Sequence, residues 1–298
     1  MKLRWFILFL AFGIFWTSVS CSSDNSPSDE QQDDMLPLEA ASMLDVSYGS
    51  NSQQKYDIYL PAARTSAKTK VVILVHGGGW TEGDKGDMSG YITLLQEIHP
   101  NHAVVNMNYV LADVNTAAFP NQYLDLQAVI AELTAESETL QILPEFGLIG
   151  VSAGAHISLM YDSVYDTNDA VKMVCDVVGP TNFTDPFFTD NPNFEFLLSL
   201  LVDEAAYPDG TDYAVANSPA LQLSSTTSPT ILFYGNEDPL VPLENGQLLN
   251  DNLENSSIPH SFTTYDGGHG DWEPASYLDL QNRLTNYINQ FLPISAGN

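Results

Sequence analysis

Basic residues are almost missing from this chain. Nine Lys and Arg stand against 38 Asp and Glu among 298 residues, a net charge of −29. A surface so acidic repels phosphate backbones, which argues against nucleic acid as a partner. Cysteine is scarce too, with only Cys21 and Cys175, so a disulfide framework or a thiolate zinc cluster does not hold the fold together. After residue 43 no Gly/Ser-rich linker and no repeat at solenoid periods occurs, which leaves one folded domain over 43–298. The apolar run Trp5 to Trp16 is shorter than the roughly 20 residues of a membrane-spanning helix. What is present is a 44% apolar composition, ample for one large core.

The first residues read as an address. Lys2 and Arg4 precede the apolar run, and Thr17-Ser18-Val19-Ser20 follows it. That basic, apolar, small-residue order predicts an export signal over 1–20. Cys21 comes next, and the site resembles the lipobox of bacterial lipoproteins, where the cysteine is acylated as the first mature residue. Ser18 stands where that pattern prefers Leu. The resemblance implies a membrane partner through a lipid anchor on Cys21, on an outer membrane and facing the periplasm or the cell surface. Ordinary cleavage with free secretion is the alternative. Residues 21–42 are polar and acidic and predict a disordered tether. Their Ser/Asp-rich start also resembles the surface-export signal of Bacteroidetes-type lipoproteins; a plain solvated spacer explains the composition equally well. Cys175 lies in the apolar run Val171 to Val178 and reads as a buried, inert thiol.

From residue 43 onward, short apolar runs alternate with helical patterns. Gln54–Leu60 alternates and stops at Pro61, as an edge-region strand does. Val71–Val75 and Ala103–Met107 are continuous runs suited to strands buried on both faces. Gly147–Val151, Lys172–Val178, Thr230–Tyr234 and Ser261–Tyr265 are further strands. Helices are predicted over Asn121–Leu133, Ala153–Met160, Leu243–Leu253 and Trp272–Phe291. The alternation predicts an α/β fold with a mostly parallel central sheet and helices on both faces. Pro180 to Ala220 breaks the rhythm and carries Phe183, Phe187, Phe188, Phe194, Phe196, Tyr207 and Tyr213. Either a small cap over a cleft or an irregular connection packed on the core has this composition.

Gly150-Val151-Ser152-Ala153-Gly154 is a Gly-x-Ser-x-Gly motif. Composition alone produces it in about one chain in ten of this length, so its context carries the weight. It follows a predicted strand and opens a predicted helix, the strand-to-helix turn that exposes a nucleophilic serine. Upstream, His76-Gly77-Gly78-Gly79-Trp80 follows the buried strand Val71–Val75. Downstream, Gly267-Gly268-His269-Gly270 follows the last strand. A histidine framed by glycines is a poor core residue and a good general base. Of the other histidines, His76 reads as supporting the glycine loop from within and His156 as packed on the serine helix. His99, His102 and His260 read as loop or surface positions.

Over roughly residues 45–292 these motifs resemble the α/β-hydrolase superfamily, in particular its hormone-sensitive-lipase-like and bacterial carbohydrate-esterase members. The resemblance implies the α/β-hydrolase fold with a small cap-like insertion at 180–220. It also implies a serine esterase with Ser152 as nucleophile, His269 as base and Asp238 as supporting acid. Asp238 comes from Gly235-Asn236-Glu237-Asp238-Pro239-Leu240-Val241-Pro242, which looks like the family's glycine, two residues, aspartate, then Val-Pro. Glu237 is the rival, and an Asp238 that merely caps the next segment is the bland reading. The backbone N–H groups of Gly77, Gly78 and Ala153 would form the oxyanion hole. Asn108-Tyr109-Val110-Leu111, then Phe119-Pro120 and Asp125, resembles the family's Tyr-Arg-Leu…Phe-Pro…Asp segment with Val110 in place of arginine. No metal and no cofactor is implied.

The partner implied is a small-molecule or glycan ester. His-Gly-Gly-Gly-Trp followed by Gly83-Asp84-Lys85 looks closest to esterases of acetylated or feruloylated plant polysaccharides. A general carboxylesterase, an amidase or peptidase, and a non-catalytic glycan-binding lipoprotein are the alternatives. Phe187 and Phe188 are candidates to hold a substrate ring. Trp80 either lines the cleft or fills space beside the glycine loop.

Overall fold

A computed structural model describes residues 37–295. The expected export signal, Cys21, the tether up to residue 36 and the last three residues lie outside the described residues. Eight strands occur: β1 (Ala41–Ser47), β2 (Lys55–Leu60), β3 (Val71–Val75), β4 (Ala103–Met107), β5 (Phe146–Val151), β6 (Val171–Val177), β7 (Thr230–Gly235) and β8 (His260–Tyr265). The helices of eight or more residues are α1 (Ser89–Ile98), α2 (Asn121–Ala135), α3 (Ala153–Met160), α4 (Phe194–Leu201), α5 (Leu243–Asn255) and α6 (Pro274–Phe291).

One sheet runs β1-β2-β4-β3-β5-β6-β7-β8. β2 is antiparallel to β1 and β4, and every pairing from β4 to β8 is parallel. This is the α/β-hydrolase fold. β3 lies between β4 and β5, and all five of its residues are buried. Its side chains alternate between two cores, as strand geometry requires. Val71, Ile73 and Val75 join Leu126, Val129 and Leu133 of α2 and Ile157 of α3. Val72 and Leu74 join Leu95 of α1 and Leu280, Leu284 and Ile288 of α6.

Outside the 180–220 stretch, where α4 forms without a legible signal, two elements depart from the sequence reading. β1 is exposed along almost its whole length, so it carries no apolar alternation to betray it. It starts at Ala41, inside the stretch assigned to the tether, and covers β2, which is therefore not at the sheet edge. Beyond the ladder, the Asp45 amide donates to Asp57 Oδ1 at 2.8 Å, and Lys85 Nζ bridges Asp57 (2.8 Å) and Asp45 (3.0 Å). α1 buries only Leu95 fully, too little for a legible helical period. A further correction concerns His99 and His102. Both are buried, and His102 Nε2–H donates to Leu292 O at 2.8 Å.

The 180–220 stretch joins β6 to β7 through α4 and short turns at Pro186–Thr189 and Tyr213–Ala216. It is stitched to the segment before α2: the Phe119 amide donates to Leu201 O and the Asp203 amide to Phe119 O, both at 2.8 Å. Most of its aromatics serve the core. Phe183 is buried, and Phe188, Phe194, Tyr207 and Tyr213 pack against the larger cluster.

Asp176 on β6 is fully buried. Its Oδ1 accepts from the Gly179 amide at 2.8 Å. Tyr234 Oη lies 2.6 Å from both Asp176 Oδ2 and Gly179 O. One hydroxyl proton cannot serve a carboxylate and a carbonyl together. The set closes when Asp176 keeps its own proton and donates to Tyr234, which donates to Gly179. Burial pushes the Asp176 pKa up to about 7, against the Tyr234 hydroxyl and the Gly179 amide, which favour the ionised form. An acid raised in this way contributes stability that is complete below its unfolded pKa of about 3.9 and is lost as pH rises through about 7. Asp176→Asn mimics the protonated acid. Urea denaturation should find it more stable than wild type above pH 7, by on the order of 1–3 kcal/mol, with no gain near pH 4. Equal or lower stability at alkaline pH would count against this account.

Candidate active site

Ser152 sits between the end of β5 and the start of α3 with φ 53° and ψ −120°. That backbone conformation is disfavoured for a residue with a side chain and costs about 1–3 kcal/mol. The surroundings impose it. A Cβ at Gly150 would stand 2.4 Å from the Ala155 backbone, and one at Gly154 would stand 2.1 Å from Val75 O. Strand, turn and helix approach this closely because neither position carries a side chain. The Ser152 amide donates to Val177 O at 2.8 Å, and its carbonyl accepts from Ala155 and His156.

The loops after β7 and β8 bring two residues to this serine. His269 Nε2 is 2.8 Å from Ser152 Oγ, and His269 Nδ1 is 2.7 Å from Asp238 Oδ2. Asp238 Oδ1 also accepts from the amides of Leu240 (2.8 Å) and Val241 (3.0 Å). Burial works to raise the Asp238 pKa, but the His269 hydrogen bond and the two amides outweigh it and hold the carboxyl below the usual range. An ionised acid accepts only, so Nδ1 carries the imidazole proton and Nε2 accepts from the Ser152 hydroxyl. Asp238 both caps the next segment and meets His269. Glu237 is exposed, and its amide donates to Gly267 O at 2.9 Å.

The glycine loop after β3 runs against the serine turn. A Cβ at Gly77 would lie 3.3 Å from Ser152 Cβ. Among the described residues, the amides of Gly77, Gly78 and Ala153 donate to no protein acceptor. Ala153 opens α3, where the first amides of a helix lack intrahelical partners.

Trp80 continues that loop and packs edge-on against Phe119, His156 and Phe183. Its Nε1–H donates to His156 Nδ1 at 3.2 Å, and His156 Nε2–H donates to Asn217 O at 2.9 Å. Burial pushes the His156 pKa down to about 4, so the ring stays neutral and keeps one donor and one acceptor. The chain Trp80–His156–Asn217 ties the glycine loop to α3 and to the insertion. Asn217 was not singled out in the sequence, where it is one more Asn in an irregular stretch. Phe188 lies between Phe183 (5.8 Å) and Phe194 (5.9 Å), while Phe187 is 49% exposed and edge-on to Phe188. The two reach the glycine loop through Phe183 and Trp80. At the Val110 departure, Asp125 accepts from the Val110 amide (2.8 Å) and from Gln54 Nε2 (2.7 Å).

A family model described as BD-FAE matches residues 56–253. Among curated proteins, the isoprenylcysteine alpha-carbonyl methylesterase of Arabidopsis thaliana is 23% identical over 74% of this chain and 55% of its own length. The kynurenine formamidase of Danio rerio is 31% identical over 44% of this chain and 43% of its own length. The chain thus spans about half the length of the curated relatives it matches. Among solved structures, a truncated carbohydrate esterase from gut microbiota superposes with a TM-score of 0.67 at 20% identity, over 84% of this chain and 96% of that one.

The close contact at the serine turn can be measured directly. Gly154→Ala would drive a methyl into Val75 O. Chemical denaturation should show a loss of about 2–4 kcal/mol, and a loss under 0.5 kcal/mol would mean that the turn has slack.

Proposed function

The chain belongs to the BD-FAE family, and from that membership we propose that it is a serine hydrolase of carboxylic esters working through an acyl-enzyme. One observation carries the reading: the unbroken run of hydrogen bonds from Ser152 Oγ through His269 to Asp238. His269 Nε2 takes the Ser152 proton as Oγ attacks the ester carbonyl. Asp238 holds the Nδ1–H tautomer and stabilises the imidazolium that forms. The carbonyl oxygen becomes an anion facing the amides of Gly77, Gly78 and Ala153. His269 returns the proton to the leaving alcohol, and water then attacks the acyl-enzyme by the same steps. Each oxyanion donor of this kind is typically worth about 100- to 1000-fold in rate.

The substrates proposed are acetyl, other short-acyl or feruloyl esters on plant polysaccharides. The His76–Trp80 stretch followed by Gly83-Asp84-Lys85 supports that class, and so does the likeness to a carbohydrate esterase. A second reading, hydrolysis of an amide-type acyl bond, is favoured by the kynurenine formamidase match. The basic, apolar, small-residue start leading to Cys21 supports export with a lipid on Cys21. Labelled palmitate should then be incorporated by the wild-type chain and not by Cys21→Ala; equal labelling would remove the anchor.

Hydrolysis of para-nitrophenyl acetate and butyrate tests the chemistry. Ser152→Ala should fall to near background. Asp238→Asn should lose about 10⁴-fold in kcat through the wrong tautomer, with Glu237→Gln within twofold of wild type. If Ser152→Ala keeps wild-type turnover, Ser152 is not the nucleophile. If Glu237→Gln is the crippled variant, the acid is misassigned. Acetylated xylan, methyl ferulate and N-formyl amides, compared side by side, separate the two substrate readings.

A further inference from the structure

An oxyanion hole built from backbone amides works only while its peptide planes face the right way. A peptide's carbonyl and N–H point in opposite directions, so whatever holds the carbonyl aims the N–H. The glycine loop has two such planes. His76 O and the Gly77 N–H share one, and Gly77 O and the Gly78 N–H share the other. Glycine lacks the side chain that restricts backbone rotation, so these planes need an external hold.

We propose that Tyr109 and His76 are positioning residues that clamp these two carbonyls from behind and so aim the Gly77 and Gly78 amides at the reacting carbonyl. This rests on the serine-esterase reading above. Tyr109 is fully buried, and its hydroxyl donates its one proton to His76 O at 3.0 Å; Gly77 O, farther away at 3.3 Å, is left to His76. His76 Nδ1 stands 2.6 Å from Gly77 O. A carbonyl only accepts, so Nδ1 carries the proton. His76 Nε2 is buried with no partner, and burial lowers the His76 pKa despite the hydrogen bond to Gly77. The ring is therefore a neutral, single-proton donor committed to that carbonyl. The two clamps support each other, since the Tyr109 and His76 rings stack at 4.3 Å with planes 13° apart.

A third residue leaves room for the clamp. Gly83 has φ +95°, and a Cβ there would stand 2.4 Å from Gly77 O and 2.7 Å from His76 Nδ1. Any side chain would push apart the donor and acceptor that fix the second plane. This gives Gly83, in the stretch that follows the glycine loop, a task behind the oxyanion hole.

Tyr109→Phe keeps the ring and its stacking but removes the hydroxyl. The expected result on para-nitrophenyl acetate is a fall in kcat of about 10- to 100-fold, with KM within twofold. A trifluoromethyl ketone, whose adduct with Ser152 bears the oxyanion, should bind more weakly by the same factor as kcat/KM falls. His76→Asn, which keeps a donor near Nδ1, should retain more activity than His76→Leu. This pair stands in if Tyr109→Phe does not fold. A kcat within twofold of wild type overturns the proposal. So does a raised KM with unchanged ketone affinity, the mark of general loosening. If wild type itself shows no turnover, the esterase reading fails. A crystal structure of Tyr109→Phe then decides the clamp, and His76 and Gly77 carbonyls left in place overturn it.

Discussion

The site depends on one close contact. The end of β5, the turn at Ser152 and the first turn of α3 meet at distances that only hydrogen at positions 150 and 154 allows. That contact forces Ser152 into a left-handed backbone conformation and lifts its side chain clear of both elements. The strain is local and the restraint is not. β5 is paired on both sides by β3 and β6, and every residue of α3 is buried. A turn held by so many neighbours cannot relax by moving one of them.

The remaining site groups are placed by the parallel sheet. β3, β5, β7 and β8 all end at the same edge, so the loops after them converge there. Convergence also needs the β7 and β8 loops to touch, and a Cβ at Gly235 would stand 2.1 Å from Gly268 O. Asp238 and His269 can then bond directly, 31 residues apart in the chain. The acid stays ionised under cover because His269 and two amides supply what water would otherwise give.

The insertion is tied into the site's framework through one buried residue. Asn217, itself fully buried, accepts from His156 through its carbonyl and from Tyr123 and Tyr207 through Oδ1. His156 in turn accepts from Trp80, beside the glycine loop. Loop, serine helix and insertion thus share one buried polar chain. In a dry interior such a chain is strong when complete and costly when broken. The apolar groups that the insertion leaves in water, Phe187 on its turn and Phe196, Leu197 and Leu200 on α4, sit outside that chain.

How much of this was legible follows from the kind of signal each part leaves. The strands β2 to β7 and the helices α2, α3, α5 and α6 announce themselves because each buries a whole face, and burial writes a period into the residues. β1 and α1 bury little, so they wrote none. Ser152, the glycine loop and His269 could be located because a cramped turn and a close backbone approach demand glycine at fixed spacing. The burial of His99 and His102 could not be read, because a histidine covered by distant parts of the chain looks the same in one dimension as one in water. By itself, then, the sequence determined the sheet from β2 to β8, most of the helices on its faces and the candidate residues of the site. Tertiary structure alone decided that His156 binds Trp80 to Asn217 and that Tyr109 backs the glycine loop. Those are pairings between residues far apart in the chain, fixed by directions and distances of a few ångströms that no spacing along the chain encodes.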